Sequence, residues 1–244
     1  MRYESMILRV KQNLAMILVL VTVMFPAILW AGTLRDDFND GNMDGWDTTS
    51  MVTGGTWKLE NGELVITSKN GVVTLFIGED NWKDYTVSVK AKIVTNHVRA
   101  SATGILEGIG VIIRDFGNYP QHECYLLPIL NFSDYKGMAA YYTPSGITGM
   151  WIADKPFQLD LDKWYDIKAI VEGNQFRFSI NDEFIIEFNH SAVPKGKIGI
   201  SAFYTDTTAH FDDFSVIGND IPDTVTSVSQ KDKLAIAWGM AKYR

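Results

Sequence analysis

The 244-residue chain carries 22 Lys+Arg against 29 Asp+Glu, a formal net charge of −7. That balance excludes the nucleic-acid and anionic-membrane binders, which need clustered basic side chains. Its single cysteine, Cys124, excludes an intrachain disulfide, and a chain of this length buries a core without covalent staples.

The first element is an export signal. Arg2, Arg9 and Lys11 precede an uncharged apolar run of 16 residues, 14–29, that ends near Pro26 and the small residue Ala31. This is the three-part pattern of a secretory signal peptide over residues 1–31. The run is short of the roughly 20 apolar residues that span a bilayer, an uncleaved anchor being the alternative, and no second run follows. The expected mature chain begins at Gly32 and is exported to the periplasm or the extracellular space, with no membrane insertion after cleavage. Removing residues 1–31 takes Lys+Arg from 22 to 19 and Asp+Glu from 29 to 28, leaving a net charge of −9.

From there the pattern has a period of two. Strands are predicted over residues 56–60, 63–67 and 72–77, the first two joined by Asn61-Gly62, a strong hairpin signal. Residues 84–94 alternate Tyr85, Val87, Val89, Ala91 and Ile93 with polar partners, as a strand with one wet face does. Further strands are predicted over 109–114, 123–129, 138–142, 164–172, 176–180, 183–188, 197–203 and 210–217. Glu172-Gly173-Asn174 and Asn181-Asp182 supply the turns between the strands on either side of them. No window carries a helical stripe, and the strands follow no fixed repeat. About a dozen short strands make an all-β sandwich over residues 32–218. Residues 219–244 read as a polar linker and a short C-terminal tail.

Several segments then fall in a recognisable order. Asp36-Asp37-Phe38 is followed by Gly45-Trp46 and by the run Gly55-Thr56-Trp57-Lys58-Leu59-Glu60-Asn61-Gly62-Glu63-Leu64. Next come Asp84-Tyr85-Thr86-Val87 and Gly110-Val111-Ile112-Ile113-Arg114. The series closes with Trp164-Tyr165-Asp166-Ile167-Lys168, Ile180-Asn181-Asp182, Gly196-Lys197-Ile198-Gly199-Ile200 and Phe211-Asp212-Asp213-Phe214-Ser215-Val216. This order resembles the concanavalin A-like lectin/glucanase superfamily, and within it the laminin-G-like and 3-keto-disaccharide hydrolase-like domains of secreted bacterial proteins. The resemblance covers about residues 35–217. It implies a two-sheet antiparallel jelly-roll sandwich, a fold that hosts binders and enzymes alike.

Two constellations carry the expected chemistry. In sandwiches of the resembled kind the central strands form a concave face where sugars sit. Here those strands and their loops carry Arg114, Asp115, His122, Glu123, Tyr125, Tyr141, Tyr142 and Trp151. Aromatic rings cover the apolar faces of a sugar, and planar polar groups pair with its hydroxyls. The binding set drawn from them is Arg114, Asp115, Glu123, Tyr125, Tyr142 and Trp151, with Arg114 as anchor, held by Glu123. A charged group closing the apolar run 110–113 needs a partner, and a structural ion pair is the alternative. At the termini, Asp37, Asn39 and Asp213 supply the oxygens that a structural Ca²⁺ would use; solvated edge charges are the alternative there.

Signs of catalysis are sparse. No Glu-x-Asp-x-x-Glu run of the laminarinase kind occurs, nor a Gly-x-Ser-x-Gly elbow, a phosphate loop or closely spaced metal-ligating histidines. The reading is therefore a secreted carbohydrate-binding module without catalysis of its own, its partner a glycan or oligosaccharide. A glycoside hydrolase of the 3-keto-disaccharide hydrolase-like type is the alternative implied by the resemblance. A structural or adhesion domain without a sugar ligand is the third.

Overall fold

A computed structural model of the chain describes residues 31–95, 108–117, 122–131, 135–144, 149–203 and 207–225. The expected signal peptide, but for Ala31, and the expected tail beyond residue 225 lie outside the described residues.

All regular structure among the described residues is β. The strands are β1 (Gly32–Asp36), β2 (Trp46–Glu60), β3 (Glu63–Ile77), β4 (Tyr85–Thr95), β5 (Gly108–Phe116), β6 (Glu123–Asn131) and β7 (Lys136–Thr143). They continue with β8 (Met150–Pro156), β9 (Tyr165–Glu172), β10 (Gln175–Ile180), β11 (Glu183–Asn189), β12 (Lys197–Phe203), β13 (Thr207–Gly218) and β14 (Thr224–Val225). Hydrogen bonding runs β11-β10-β9-β4-β13-β3-β12-β5-β6-β7-β8, with β2 added to β3 and β1 to β13. The pairings are antiparallel except for β1 with β14.

The long strand β3 turns this ladder into a sandwich. Its first half, Leu64 to Ser68, pairs with β13, and its second half, Val72 to Ile77, pairs with β12. The strand thus leaves one layer and enters the other. The corner lies at Gly71, where a Cβ would sit 1.8 Å from the Thr53 carbonyl oxygen, so only glycine fits. The layers then face each other over one core: Val87, Val89, Ile167, Ala169 and Phe176 from one side meet Val111, Ile113, Tyr125, Leu127 and Met138 from the other. Each Val, Leu, Ile, Phe or Met among them contributes about 1.5–3 kcal/mol through burial. The far ends of the ladder meet as well, where Lys155 Nζ donates to the Phe184 carbonyl at 3.4 Å. The all-β jelly-roll sandwich expected from the sequence is the observed fold.

Turns follow the sequence signals. Asn61 and Gly62 have φ of 55° and 78°, and Asn181 and Asp182 have 51° and 60°. Two consecutive left-handed residues match the twist of a tight hairpin. Two features depart from the expectation. The strand β8 has no counterpart in the sequence reading, because its outward residues leave it no apolar alternation. The chain also stays with the sandwich past residue 218. Ile221 is buried, the Thr33 amide donates to Asp223 Oδ1 at 2.9 Å, and Thr224 and Val225 pair with Leu34 and Arg35.

Candidate functional site

Strands β5, β6 and β7 turn one face to the main core. Their other face carries a second apolar cluster, with Phe76 of β3, Ile112, Cys124, Leu126, Ala139, Tyr141 and Phe203 of β12. This outer face is where the expected sugar site would lie, and strict alternation along β5 would place Arg114 on it.

A β-bulge changes that placement. Ile113 pairs with Tyr125 and Phe116 with Glu123, so β5 carries one more residue than β6 between those points. Arg114 takes up the extra residue in a left-handed conformation, φ 53°. Its side chain turns inward and is 1 % exposed. Nε and Nη2 donate to the Lys83 carbonyl at 3.2 and 2.7 Å, Nη2 to the Gly173 carbonyl at 2.7 Å, and Nη1 to the Val193 carbonyl at 3.2 Å. The guanidinium lies 5.1 Å from the Phe176 ring centroid and 3.7 Å from Asp84 Oδ1. Burial pulls its pKa below the usual arginine value, opposed by Tyr85 and Asp84. Glu123, its expected partner, is not among its contacts. Arg114 is a structural tie between three backbone segments.

The same bulge sends Asp115 outward. Asp115 and His122 are 2 % and 5 % exposed, and His122 Nδ1 lies 2.9 and 3.0 Å from the two carboxylate oxygens. The imidazole stacks on Phe76, centroids 5.5 Å apart with planes at 12°. Burial pushes the Asp115 carboxyl up from its ordinary value, opposed by the hydrogen bond with His122 and the charge of Lys197.

Strand register carries this row across the face. Lys197 pairs with Asp115, Cys124 with Thr143, and Tyr141 with Trp151. Cys124 is buried, with its thiol 3.1 Å from Thr143 Oγ1, and burial pushes that thiol's pKa up, so it is a packing group. At the end of the row stands Trp151, 49 % exposed. Its indole is wedged edge-on against Tyr141 (4.9 Å, 77°) and Tyr135 (5.7 Å, 77°). Its Nε1 donates to Asp154 Oδ1 at 3.1 Å, and the Tyr135 hydroxyl lies 3.1 Å from Asp154 Oδ2. The result is a fixed, half-exposed ring with a carboxylate at its edge.

The expected binding set thus divides. Asp115 and Trp151 share the outer face. Tyr125 is fully buried in the core, its hydroxyl accepting from the Val193 amide at 3.1 Å and lying 3.1 Å from His190 Nδ1. Tyr142 packs beside it, 5.0 Å from the His190 ring, and the charge of Glu123 adds to burial in raising its pKa. The even-numbered and odd-numbered residues of β6 and β7 point to opposite faces, which separates these two tyrosines from Tyr141.

The acidic residues at β1 and β13 have partners within the protein. Asp213 Oδ2 pairs with Lys90 Nζ at 2.7 Å, and Asp37 Oδ1 accepts from the Asn39 amide at 3.1 Å in a local turn. The neighbouring Asp36 is buried and accepts from Trp46 Nε1 and the Phe38 amide, both at 2.8 Å. Among the described residues no group of three or more His, Cys, Asp or Glu could hold a metal ion. The expected Ca²⁺ set of Asp37, Asn39 and Asp213 is thus seen here with Asp213 in an ion pair and Asp37 in a turn.

The model of the 3-keto-alpha-glucoside-1,2-lyase-like domain matches residues 33–217, from β1 to the end of β13. The chain belongs to this family. No curated protein matches the chain. Solved structures share its fold. The carbohydrate-binding module CBM66 from Bacillus subtilis is 19 % identical, with a TM-score of 0.56 over 71 % of this chain and 96 % of its own. A Bacillus subtilis protein with a galectin-like fold is 15 % identical, with a TM-score of 0.55 over 75 % and 95 %. The VIP36 exoplasmic/lumenal domain, in a Ca²⁺/Man₃GlcNAc-bound form, is 11 % identical, with a TM-score of 0.56 over 82 % and 92 %.

Within this lyase-like domain, two members of the outer-face row escaped the sequence reading: Tyr135 and Asp154. Asp154 lies on β8, the strand without a periodic signal, and is three residues from Trp151. The spacing Trp-x-x-Asp carries no recognisable pattern until the strand is known.

Proposed function

We propose that this domain binds carbohydrate on the outer face of β5–β8, with the sugar lying on Trp151. The observation that carries the reading is the half-exposed indole, locked by Tyr141, Tyr135 and Asp154. A ligand gains a preorganised apolar platform, bound at little cost in side-chain entropy. Asp154 at its edge accepts from hydroxyls. The sugar-binding module CBM66 and the VIP36 domain support the reading, since both carry sugar ligands or sugar-binding names on the same fold. Truncating a central tryptophan typically costs about 2 kcal/mol, or roughly 30-fold in affinity. Trp151→Ala should therefore weaken oligosaccharide binding about that much in a calorimetric titration and leave the melting temperature nearly unchanged. Equal affinity of variant and parent for every sugar bound would remove the platform from the site.

A second reading is chemical: cleavage of a 3-keto glycoside on the same face. Family membership and the buried Asp115–His122 pair on the same side of the sheet favour it. The proposal also includes export, residues 1–31 being removed as a signal peptide. The first strand starts at Gly32, so cleavage after Ala31 leaves the sheet whole.

A further inference from the structure

We propose that the Trp151 platform selects amino sugars of the 2-amino-2-deoxyhexose class, with Asp154 receiving the protonated amine. The inference rests on the carbohydrate-binding reading above and names the class of sugar that the site takes.

Asp154 is an exposed carboxylate set against aromatic rings instead of a cation. Several other exposed carboxylates have a basic partner: Asp182 meets Lys168 Nζ at 2.6 Å, Glu187 meets Arg177 Nε at 2.7 Å, and Asp213 meets Lys90 Nζ at 2.7 Å. The contacts of Asp154 are the Trp151 indole, whose Nε1 donates to Oδ1 at 3.1 Å, and the Tyr135 hydroxyl, 3.1 Å from Oδ2. That hydroxyl has one proton and also lies 3.2 Å from the Met138 carbonyl, so two acceptors share it. Among the described residues no basic group pairs with Asp154. Its neighbour Lys155 stands opposite the core residue Met138, and its Nζ donates to the Phe184 carbonyl at 3.4 Å, toward the other layer. The Asp154 charge is felt across the platform. Burial holds the Tyr135 and Tyr141 hydroxyls above the ordinary tyrosine value, and Asp154 pushes both further up.

A carboxylate only accepts, so it asks a ligand for donors, and an ammonium brings three with a full positive charge. The rings add a second attraction, because an aromatic face carries the negative side of the ring quadrupole. They are already in place: Trp151 lies edge-on to Tyr141 at 4.9 Å and to Tyr135 at 5.7 Å, with its own ring 49 % exposed. A hexose stacked on the indole carries its ring substituents outward, to the edge where Asp154 stands. A hydroxyl there makes a hydrogen bond with a neutral donor. An ammonium makes a bond charged on both sides, which is stronger, and supplies the counter-ion that the protein does not. A uronic acid would set a second carboxylate against the first and is disfavoured by like charge. The chain's net charge of −7 adds long-range attraction for a cationic ligand.

The test is calorimetric titration of the full chain with three β-1,4-linked hexamers, those of glucosamine, N-acetylglucosamine and glucose, at a pH where the free amine is protonated. Acetylation keeps the sugar ring and removes the charge. The glucosamine hexamer should bind at least about tenfold tighter than either neutral hexamer, the scale of one charge-assisted contact with a cation–π contact beside it. The preference should shrink as salt is raised and vanish in Asp154→Asn with Tm unchanged. Asp182→Asn removes the same charge from the β10–β11 turn and should keep the preference. Equal affinity of the parent for all three hexamers, with Trp151→Ala weakening each, overturns the inference and leaves the carbohydrate reading standing. A preference kept in Asp154→Asn overturns it, as does one lost equally in Asp182→Asn, which would show a diffuse field in place of a site. No binding of the glucosamine hexamer overturns it whatever other sugar the parent takes. If parent and Trp151→Ala bind that hexamer equally, the platform reading falls and the inference with it. Should Asp154→Asn melt early, the salt series on the parent decides: a preference that salt leaves unchanged overturns the proposal.

Discussion

Replacing Arg114 by methionine removes one guanidinium from a site that is 1 % exposed, and three carbonyls, those of Lys83, Gly173 and Val193, lose their donor. Hydrogen bonds to a charged group contribute about 1.5–3 kcal/mol each. The three are not additive, because the backbone segments relax together, and removing one member of a buried ionic assembly costs about 3–5 kcal/mol. A domain of this size loses about 2–4 °C in Tm per kcal/mol. The expected fall is therefore about 6–20 °C, measured by thermal melting and checked by urea unfolding. Arg114→Lys should recover part of it, since an ammonium reaches one of the three carbonyls but lacks the planar fork. Sugar affinity of the still-folded variant, titrated well below its melting temperature, should match the parent. A variant that melts like the parent and no longer binds would refute this account and return Arg114 to the ligand.

Two further predictions concern the ends of the chain. Because Asp213 is neutralised by Lys90 and Asp37 serves a local turn, a chelator should leave the melting temperature unchanged. A rise on adding Ca²⁺ that is lost in Asp213→Asn would instead establish a metal site there, by the mass-action stabilisation a bound ion gives. Mass analysis of the exported product should find a chain beginning at Gly32; a chain retaining Met1 in the membrane fraction would contradict the signal-peptide reading.

Periodicity made the fold legible and left the site half legible. Alternation marks one-sided burial, and β9, with Tyr165, Ile167, Ala169 and Val171 buried in turn, shows it plainly. The turn residues Asn61-Gly62 and Asn181-Asp182 reported their own left-handed conformations. Trp151 was recognisable as an aromatic near the central strands. Its support was not, since Asp154 and Tyr135 become neighbours only through the β7–β8 pairing. The placement of Tyr125 and Tyr142 was hidden for a related reason: residue type marks them as sugar-stacking, and only parity against the core shows that they face the other way. Arg114 misled most, because alternation assumes an unbroken ladder.

That break sets the chemistry of the face. Without the extra residue between Ile113 and Phe116, alternation would set Arg114 outward among Phe76, Cys124 and Tyr141, and would bury Asp115 in the core. With it, the cation satisfies backbone carbonyls at the end of the sandwich, and the carboxylate reaches His122 on the other side. Both placements cost something alone: a left-handed arginine is strained by about 1–3 kcal/mol, and a buried carboxylate loses its solvation. Each is offset by contacts that only the bulge permits. The neighbouring segment is fitted to it as well. A Cβ at Gly196 would lie 2.3 Å from the Asp115 carbonyl oxygen, so glycine lets the chain entering β12 close on the bulge. The Gly196 amide is fixed there by the Trp82 carbonyl at 2.9 Å. A single inserted residue therefore sorts two adjacent charges to opposite faces, one to tie backbone segments together and one to pair with His122 beneath the face that carries Trp151.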